Sequence, residues 1–96
     1  MLEINDYTEG ELWLILRQQR LQLTEERGKL LDEIKKDTAR VQIIDAPGYT
    51  DRDRGKLNRK RNEIKARMSK GIREVRRIDQ RLAELDVGED ILEGGL

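Results

Sequence analysis

The sequence contains no cysteine and no histidine. Without cysteine the chain can form no disulfide bond, thiolate nucleophile or cysteine-bound metal site. Without histidine it lacks the commonest general base and the usual zinc ligand. The many carboxylates fall into no recognisable acid–base pair. We therefore expect no catalytic residues, no metal site and no cofactor, and we predict that the protein is not an enzyme.

Aromatic and apolar residues are also scarce. The 96 residues include one Trp, two Tyr and no Phe, and hydrophobic residues make up 35% of the chain. So small a domain, with so few apolar side chains, cannot build an ordinary globular core. No apolar run approaches the roughly 20 residues of a membrane-spanning helix, and residues 1–11 lack the features of a signal peptide. We expect no membrane association and a cytoplasmic location.

Charged residues, in contrast, are abundant and unevenly distributed. They make up 42% of the chain, and their formal net charge is zero. Residues 1–45 carry a net charge of −3, residues 51–77 carry +8 and residues 78–96 carry −5. The neutral total therefore conceals a basic middle between two acidic ends.

The single proline lies in the segment Ala46-Pro47-Gly48-Tyr49. Proline favours the first central position of a β-turn, and glycine accepts the positive φ that the second position can require. Before each flanking segment stands a threonine with an acid three residues later, Thr8 with Glu11 and Thr50 with Asp53, which is a helix-start signal. The sequence therefore predicts two helices joined by a turn.

These signals divide the chain into three parts. We predict an N-terminal lead-in over residues 1–8, a helical hairpin over 9–86 and an acidic flexible tail over 87–96. Within the hairpin, helix 1 covers about 9–43, the Pro-Gly turn covers 45–50 and helix 2 covers about 51–85. Val87-Gly88 is predicted to end helix 2.

Both predicted helices repeat apolar residues at alternating intervals of three and four. This heptad pattern is typical of helices that pack as a coiled coil. The two seams predict an all-α fold, an antiparallel two-helix coiled-coil hairpin. The seam of helix 1 is Trp13, Leu16, Arg20, Leu23, Arg27, Leu30, Ile34, Asp37, Val41 and Ile44. The seam of helix 2 is Leu57, Arg61, Ile64, Met68, Gly71, Val75, Ile78, Leu82 and Leu85.

Folding the chain tightly at Gly48-Tyr49 predicts which seam residues face each other. In this register Ile34 packs on Ile64, and Asp37 faces Arg61 in an ion pair inside the seam. The same register yields the pairs Leu30–Met68, Leu23–Val75, Leu16–Leu82 and Arg27–Gly71.

One flank of this hairpin is too apolar for a solvent-exposed surface. Such a wide apolar stripe indicates a further contact, so we expect self-association into a helical bundle, with a different protein partner as the alternative. Gly28 and Gly71, at nearly the same height in the predicted register, would let another chain approach closely. The apolar flank consists of Leu14, Leu21, Leu31 and Ile72.

The basic middle of the chain places five cations on the outer side of helix 2. A basic stripe along a helix can follow a phosphate backbone, yet it can equally be a solvated face or pair with acidic protein. Two functions therefore remain open: a non-enzymatic interaction or assembly module acting through protein–protein contacts, or a hairpin that binds nucleic acid or polyphosphate. The basic face consists of Arg59, Lys70, Arg73, Arg76 and Arg77.

Overall fold

The computed structural model describes residues 8–94, in which two long helices pack against each other as a hairpin. They are α1 (Glu9–Ile44) and α2 (Asp51–Leu92), joined by residues 45–50. The molecule measures 65 × 29 × 17 Å. Its radius of gyration is 20.8 Å, whereas a compact domain of this length has about 13 Å. The first seven residues of the predicted lead-in, 1–7, and the last two residues of the predicted tail lie outside the described residues.

Both helices begin at the predicted caps. The Thr8 hydroxyl accepts a hydrogen bond from the Glu11 backbone N–H at 3.2 Å, and the Glu11 carboxylate accepts one from the Thr8 N–H at 3.3 Å. The Thr50 hydroxyl accepts from the Asp53 N–H at 3.3 Å. Each cap satisfies backbone donors that have no partner inside the helix. The predicted starts of both helices are confirmed.

The connecting loop is held by a side chain of α2. Gly48 has a φ of 107°, as the turn signal predicted. Arg54 donates to the carbonyl oxygen of Ile44 at 2.7 Å and to that of Ala46 at 2.9 Å. Its guanidinium carbon also lies 5.1 Å from the centroid of the Tyr49 ring. Because Arg54 is in the first turn of α2, these contacts lay the loop alongside that helix.

The end of α2 differs from the prediction. The helix passes through Gly88 and continues to Leu92, so Val87-Gly88 does not end it. It ends before Gly94, whose φ is 78° and whose N–H donates to the Ile91 carbonyl oxygen at 3.0 Å. Glycine in a left-handed conformation just after the last turn is a common helix stop. Residues 87–92, predicted as tail, therefore extend the hairpin.

The predicted seams form the interior of the hairpin. Every residue of both seams is buried or half-buried within the described chain, which confirms which faces meet. The core is nevertheless thin, because few side chains are fully enclosed between only two helices. The buried apolar residues are Ile44, Ile64, Val75, Ile78 and Leu85.

The predicted register, however, is wrong by one heptad. A Cβ atom placed on Gly71 would lie 3.3 Å from Cγ1 of Ile34, so Ile34 faces Gly71 and not Ile64. Asp37 accepts hydrogen bonds from Arg67, and not from the predicted Arg61. Both contacts move the partner on α2 about seven residues further along the chain than predicted.

The seam pattern itself could not distinguish these registers. A shift of seven residues matches every heptad with the next one, so apolar positions still face apolar positions. The prediction assumed a tight turn, whereas the observed loop runs along the start of α2. In the observed register the first ten residues of α2, about 15 Å of helix, extend beyond the level of Ile44.

Within residues 8–94 neither helix has an apolar stretch long enough to cross a membrane.

Candidate partner-binding surfaces

Asp37 is the charged residue that the hairpin buries, as far as the chain is described, with 2% of its surface exposed. Arg67 reaches it from α2 with two hydrogen bonds, Nε to Oδ2 at 2.9 Å and Nη2 to Oδ1 at 2.6 Å. Arg40, one turn along α1, donates to the same carboxylate. Hydrogen bonds from Arg67, assisted by Arg40 and opposed by burial, lower the pKa of Asp37 from 3.8 to about 2.

The arginines of the two seams are engaged by carboxylates of the same chain. Each contact links one helix to the other or to the loop, and each agrees with the observed register. These seam arginines therefore serve the hairpin itself and are not vacant anion sites. The pairs are Arg61 with Asp45 at 2.9 Å, Arg27 with Asp79 at 2.7 Å, Arg20 with Asp86 at 2.7 Å, and Arg20 with Glu89.

The apolar flank lies outside the hairpin core. The exposed fractions are 62% for Leu14, 60% for Leu21 and 40% for both Leu31 and Ile72. Leu14, Leu21 and Gly28 follow each other at intervals of seven, so they form one stripe along α1. The hairpin therefore leaves this stripe uncovered, and its role as an interface stays a prediction.

The two glycines of the predicted interface occupy different environments. Gly28 is exposed, and a Cβ atom there would meet nothing within 4 Å. Gly71 lies in the seam against Ile34 of the same chain. The prediction that they share one height is wrong because it depended on the shifted register. Gly28 stays a candidate for close approach by another chain, whereas Gly71 makes room within the hairpin.

The five cations of the basic face are all exposed. Arg77 pairs with Glu74 on its own helix, Nη1 to Oε1 at 3.2 Å. The other four form no ion pair with any residue from 8 to 94. Neither α1 nor the described acidic end of α2 neutralises them, so this face presents its charge to solvent.

A further surface, not anticipated from the sequence, lies at the open end of the hairpin, where α1 begins and α2 ends. An apolar groove of about 320 Å³ runs there between the two helices. It exists because α2 continues past Gly88, so that the last turns of α2 face the first turns of α1. Its lining residues are Leu12, Ile15, Leu16, Gln19, Glu84, Leu85, Gly88, Ile91 and Leu92.

Two sequence signals could have revealed this groove. Residues 12–16 are five consecutive apolar residues, more than a single seam can cover, and the apolar spacing of helix 2 continues past Gly88, because Leu92 stands seven residues after Leu85. Across the described residues, no three acidic side chains are placed so that they could hold a metal ion.

No known protein family, curated protein or solved structure matches the chain. What the protein does is therefore inferred from the surfaces described above.

Proposed function

We propose that the chain is a non-enzymatic, cytoplasmic interaction module that pairs its apolar flank with a second copy and so completes a helical bundle. The exposure of Leu14 and Leu21 is the observation that carries the proposal. Burying a leucine side chain stabilises a protein by about 1.5–3 kcal/mol. A row of leucines that the hairpin leaves in water therefore favours an assembly in which another chain covers them.

The dimensions of the hairpin support the same proposal. Its accessible surface is 7842 Å², whereas a compact monomer of this mass exposes about 5,700 Å². The excess is larger than the roughly 1,600 Å² that a standard protein–protein interface buries. Two helices alone enclose little core, and small scaffolds commonly complete theirs by association.

The shape of the flank suits a helix as its partner. Leu14, Leu21 and Gly28 lie on one line along α1, and the missing side chain at Gly28 permits close approach. A helix of the second copy packed along this line would bury both leucines, which stand at the same position in two successive heptads. A different protein with a similar apolar helix is the alternative partner of the same surface.

The mass of the protein in solution tests this proposal. We expect light scattering to give at least twice the monomer mass of 11.3 kDa, and Leu21→Glu to return the monomer because it places a charge in the apolar contact. Gln22→Glu adds the same charge to an exposed residue about 100° round α1 from Leu21, outside the apolar stripe, and should leave the mass unchanged. A monomeric wild-type protein at high concentration would refute self-association.

A second function, binding of nucleic acid or polyphosphate, is supported by the basic face. Four of its cations form no ion pair within the described chain. From Arg59 to Arg77 the face extends about 27 Å along one rigid helix. Such a row can follow phosphates and gains affinity from counterion release, with little sequence preference.

An electrophoretic shift assay at two salt concentrations tests this second function. Binding should weaken steeply as salt rises, and the triple change Arg73→Gln, Arg76→Gln and Arg77→Gln should weaken it for all sequences. Three exposed lysines of α1 provide the control, because their removal alters net charge equally but leaves the basic face intact. Absence of binding at low salt would eliminate the candidate. The control changes are Lys29→Gln, Lys35→Gln and Lys36→Gln.

A further inference from the structure

One turn of α1, residues 12–16, is apolar on every side. Residues 12–16 read Leu-Trp-Leu-Ile-Leu, and five consecutive residues cover more than one full turn of a helix. Trp13 and Leu16 belong to the seam with α2. A helix segment that is apolar all round is normally enclosed on all sides, so the rest of this turn calls for contacts that α2 does not supply.

Part of that apolar surface forms the wall of the groove at the open end. Ile15 of α1 and Ile91 of α2 stand on its two sides, and Ile91 is 52% exposed. Gly88 leaves the space between them open, because a Cβ atom there would meet nothing within 4 Å. The equivalent heptad positions earlier in α2 carry side chains that would close such a space. They are Lys60, Arg67, Glu74 and Arg81.

The surroundings of the groove are acidic. Residues 84–93 contain five acidic residues and no basic residue. These charges stand at the carboxyl end of α2, where the helix dipole already carries partial negative charge and favours cations. Arg20 pairs with two of them, whereas Asp90 and Glu93 form no ion pair with residues 8–94. A cationic partner would therefore be stabilised by both the side chains and the helix end.

We infer that this groove binds an amphipathic helix with basic flanks that belongs to another protein. The inference rests on the proposed function as an interaction module, and it assigns a second surface and a partner chemistry to that module. Apolar side chains of the partner would enter the groove, and its lysines or arginines would lie against the acidic end of α2.

A second copy of this chain fits the groove poorly. Two open ends brought together would oppose two clusters of five acidic residues. The basic segment of the chain, residues 51–77, turns most of its large apolar side chains into its own seam, and the one that is exposed, Ile72, has 40% of its surface accessible. A separate helix with both apolar and basic faces is therefore the better complement.

The dimensions of the groove define the length of this helix. The lining residues on α1 extend from Leu12 to Gln19, about 10 Å or two helical turns. A partner helix lying along the groove would thus insert apolar side chains that are three or four residues apart, with a third one seven residues after the first. With the partner bound, the open end would become a three-helix bundle.

A synthetic leucine–lysine peptide with an amphipathic helical pattern provides the probe. We expect it to bind the wild-type protein and to change the fluorescence of Trp13, the only tryptophan of the chain, which lies at the open end. A leucine–glutamate peptide of the same pattern should not bind. A scrambled leucine–lysine peptide should bind much more weakly, and equal binding by it would show charge attraction alone and overturn the inference.

Gly88→Leu tests the site. The new Cβ atom would meet nothing within 4 Å, the rest of the side chain would occupy the open groove, and leucine favours helix more than glycine does, so the hairpin should remain folded. We expect peptide affinity to fall at least about tenfold, equivalent to roughly 1.4 kcal/mol. Gly55→Leu is the matched control, because Gly55 also has open space around it and lies about 50 Å away along α2. Unchanged peptide binding by Gly88→Leu would overturn the inference.

The solution mass separates this inference from the proposed function. An oligomeric protein that does not bind the peptide would refute the groove and leave self-association through the apolar flank intact. A monomeric protein that binds the peptide, with the binding lost in Gly88→Leu, would support the groove and refute self-association. If the wild type is an oligomer and the Gly88→Leu variant is a monomer, the groove is occupied by a second copy and the inference of a separate partner is wrong.

Discussion

Asp37 occupies a seam position that would ordinarily carry an apolar side chain. A carboxylate buried alone in such a position is strongly unfavourable, and one partner rarely compensates fully for its lost hydration. Here Arg67 and Arg40 both donate to it, and its low pKa shows that they favour the ionised form. Because Arg67 comes from α2 and Asp37 from α1, the contact also fixes how the helices are aligned.

We predict that this carboxylate makes the hairpin sensitive to acid. Its pKa is about 2 when folded, below the ordinary value of 3.8. A depressed folded pKa means that the contribution to stability is fully present above the ordinary pKa and is lost as pH falls through the folded one. Thermal unfolding followed by circular dichroism should therefore show Asp37→Asn lowering Tm by several degrees at neutral pH, and flattening its decline between about pH 4 and pH 2.

The exposed acid Asp32 provides the comparison. Its contact with Lys36 lies on the surface of α1, at 3.1 Å with both side chains more than half exposed. Such pairs contribute little, so Asp32→Asn should leave Tm and its pH profile almost unchanged. If Asp37→Asn proved as stable as the wild type, the free energy lost in burying the ion pair would equal the free energy gained from its attraction. The pair would then fix the alignment of the two helices without stabilising the fold.

Gly71 and Gly55 should respond in opposite ways to the same substitution. Gly71 has Ile34 at 3.3 Å from the position of a new Cβ atom, whereas Gly55 has nothing within 4 Å. In urea unfolding, Gly71→Leu should lower the free energy of unfolding by about 1–3 kcal/mol through overpacking. Gly55→Leu should raise it by up to about 1 kcal/mol through helix propensity. Equal effects would contradict the alignment of Gly71 with Ile34.

At the scale of the helices, the sequence predicts the interacting faces but leaves their alignment ambiguous. Apolar spacing identifies the seam residues because only one face of each helix repeats at three and four. The same spacing repeats every seven residues, so alignments that differ by one heptad bury equivalent apolar sets. The seam residue Arg27 distinguishes them, because it faces Gly71 in the predicted alignment and pairs with Asp79 in the observed one. Asp37 has an arginine partner in both, Arg61 as predicted and Arg67 as observed.

The absence of native cysteine makes this alignment directly testable. Leu30 is one helical turn before Ile34, so it faces Val75, one turn after Gly71. We predict that Leu30→Cys combined with Val75→Cys forms a disulfide within one chain under mild oxidation. Leu30→Cys combined with Met68→Cys, the pair one heptad away, should not, because the two positions are about 10 Å apart along the axis. Mobility on non-reducing gels distinguishes them, and the reverse pattern would restore the tight-turn alignment.

The open end shows why part of the candidate site was not predicted from the sequence. Its groove depends on where α2 ends, and two glycines, Gly88 and Gly94, each offered a plausible stop. The choice is made by tertiary packing: α1 provides apolar residues opposite the last turns of α2, so a helical Gly88 is tolerated. The exposed flank and basic face, in contrast, depend only on which side of a helix a residue occupies, and the seam already determines that.

At the scale of the whole molecule, charge and apolar surface are arranged along a rod 65 Å long. The middle of α2 carries the excess of positive charge and the end of α2 the excess of negative charge. Two forces could therefore join copies of the chain. One is burial of the apolar flank, and the other is attraction between the basic face of one copy and the acidic end of another.

We predict that burial of the apolar flank dominates, so that the assembly persists at high salt. Raising the ionic strength from about 0.1 M to about 1 M shortens the Debye length from about 10 Å to about 3 Å, which weakens contacts between exposed charges. It does not weaken apolar burial. Sedimentation equilibrium should give the same oligomer mass at both salt concentrations for the wild type, and monomer at both for Leu21→Glu. Changing Arg73, Arg76 and Arg77 to Gln should leave the mass unaltered. If the wild-type oligomer dissociates at high salt and the arginine variant is monomeric at low salt, the basic face joins the copies and Leu14 and Leu21 do not.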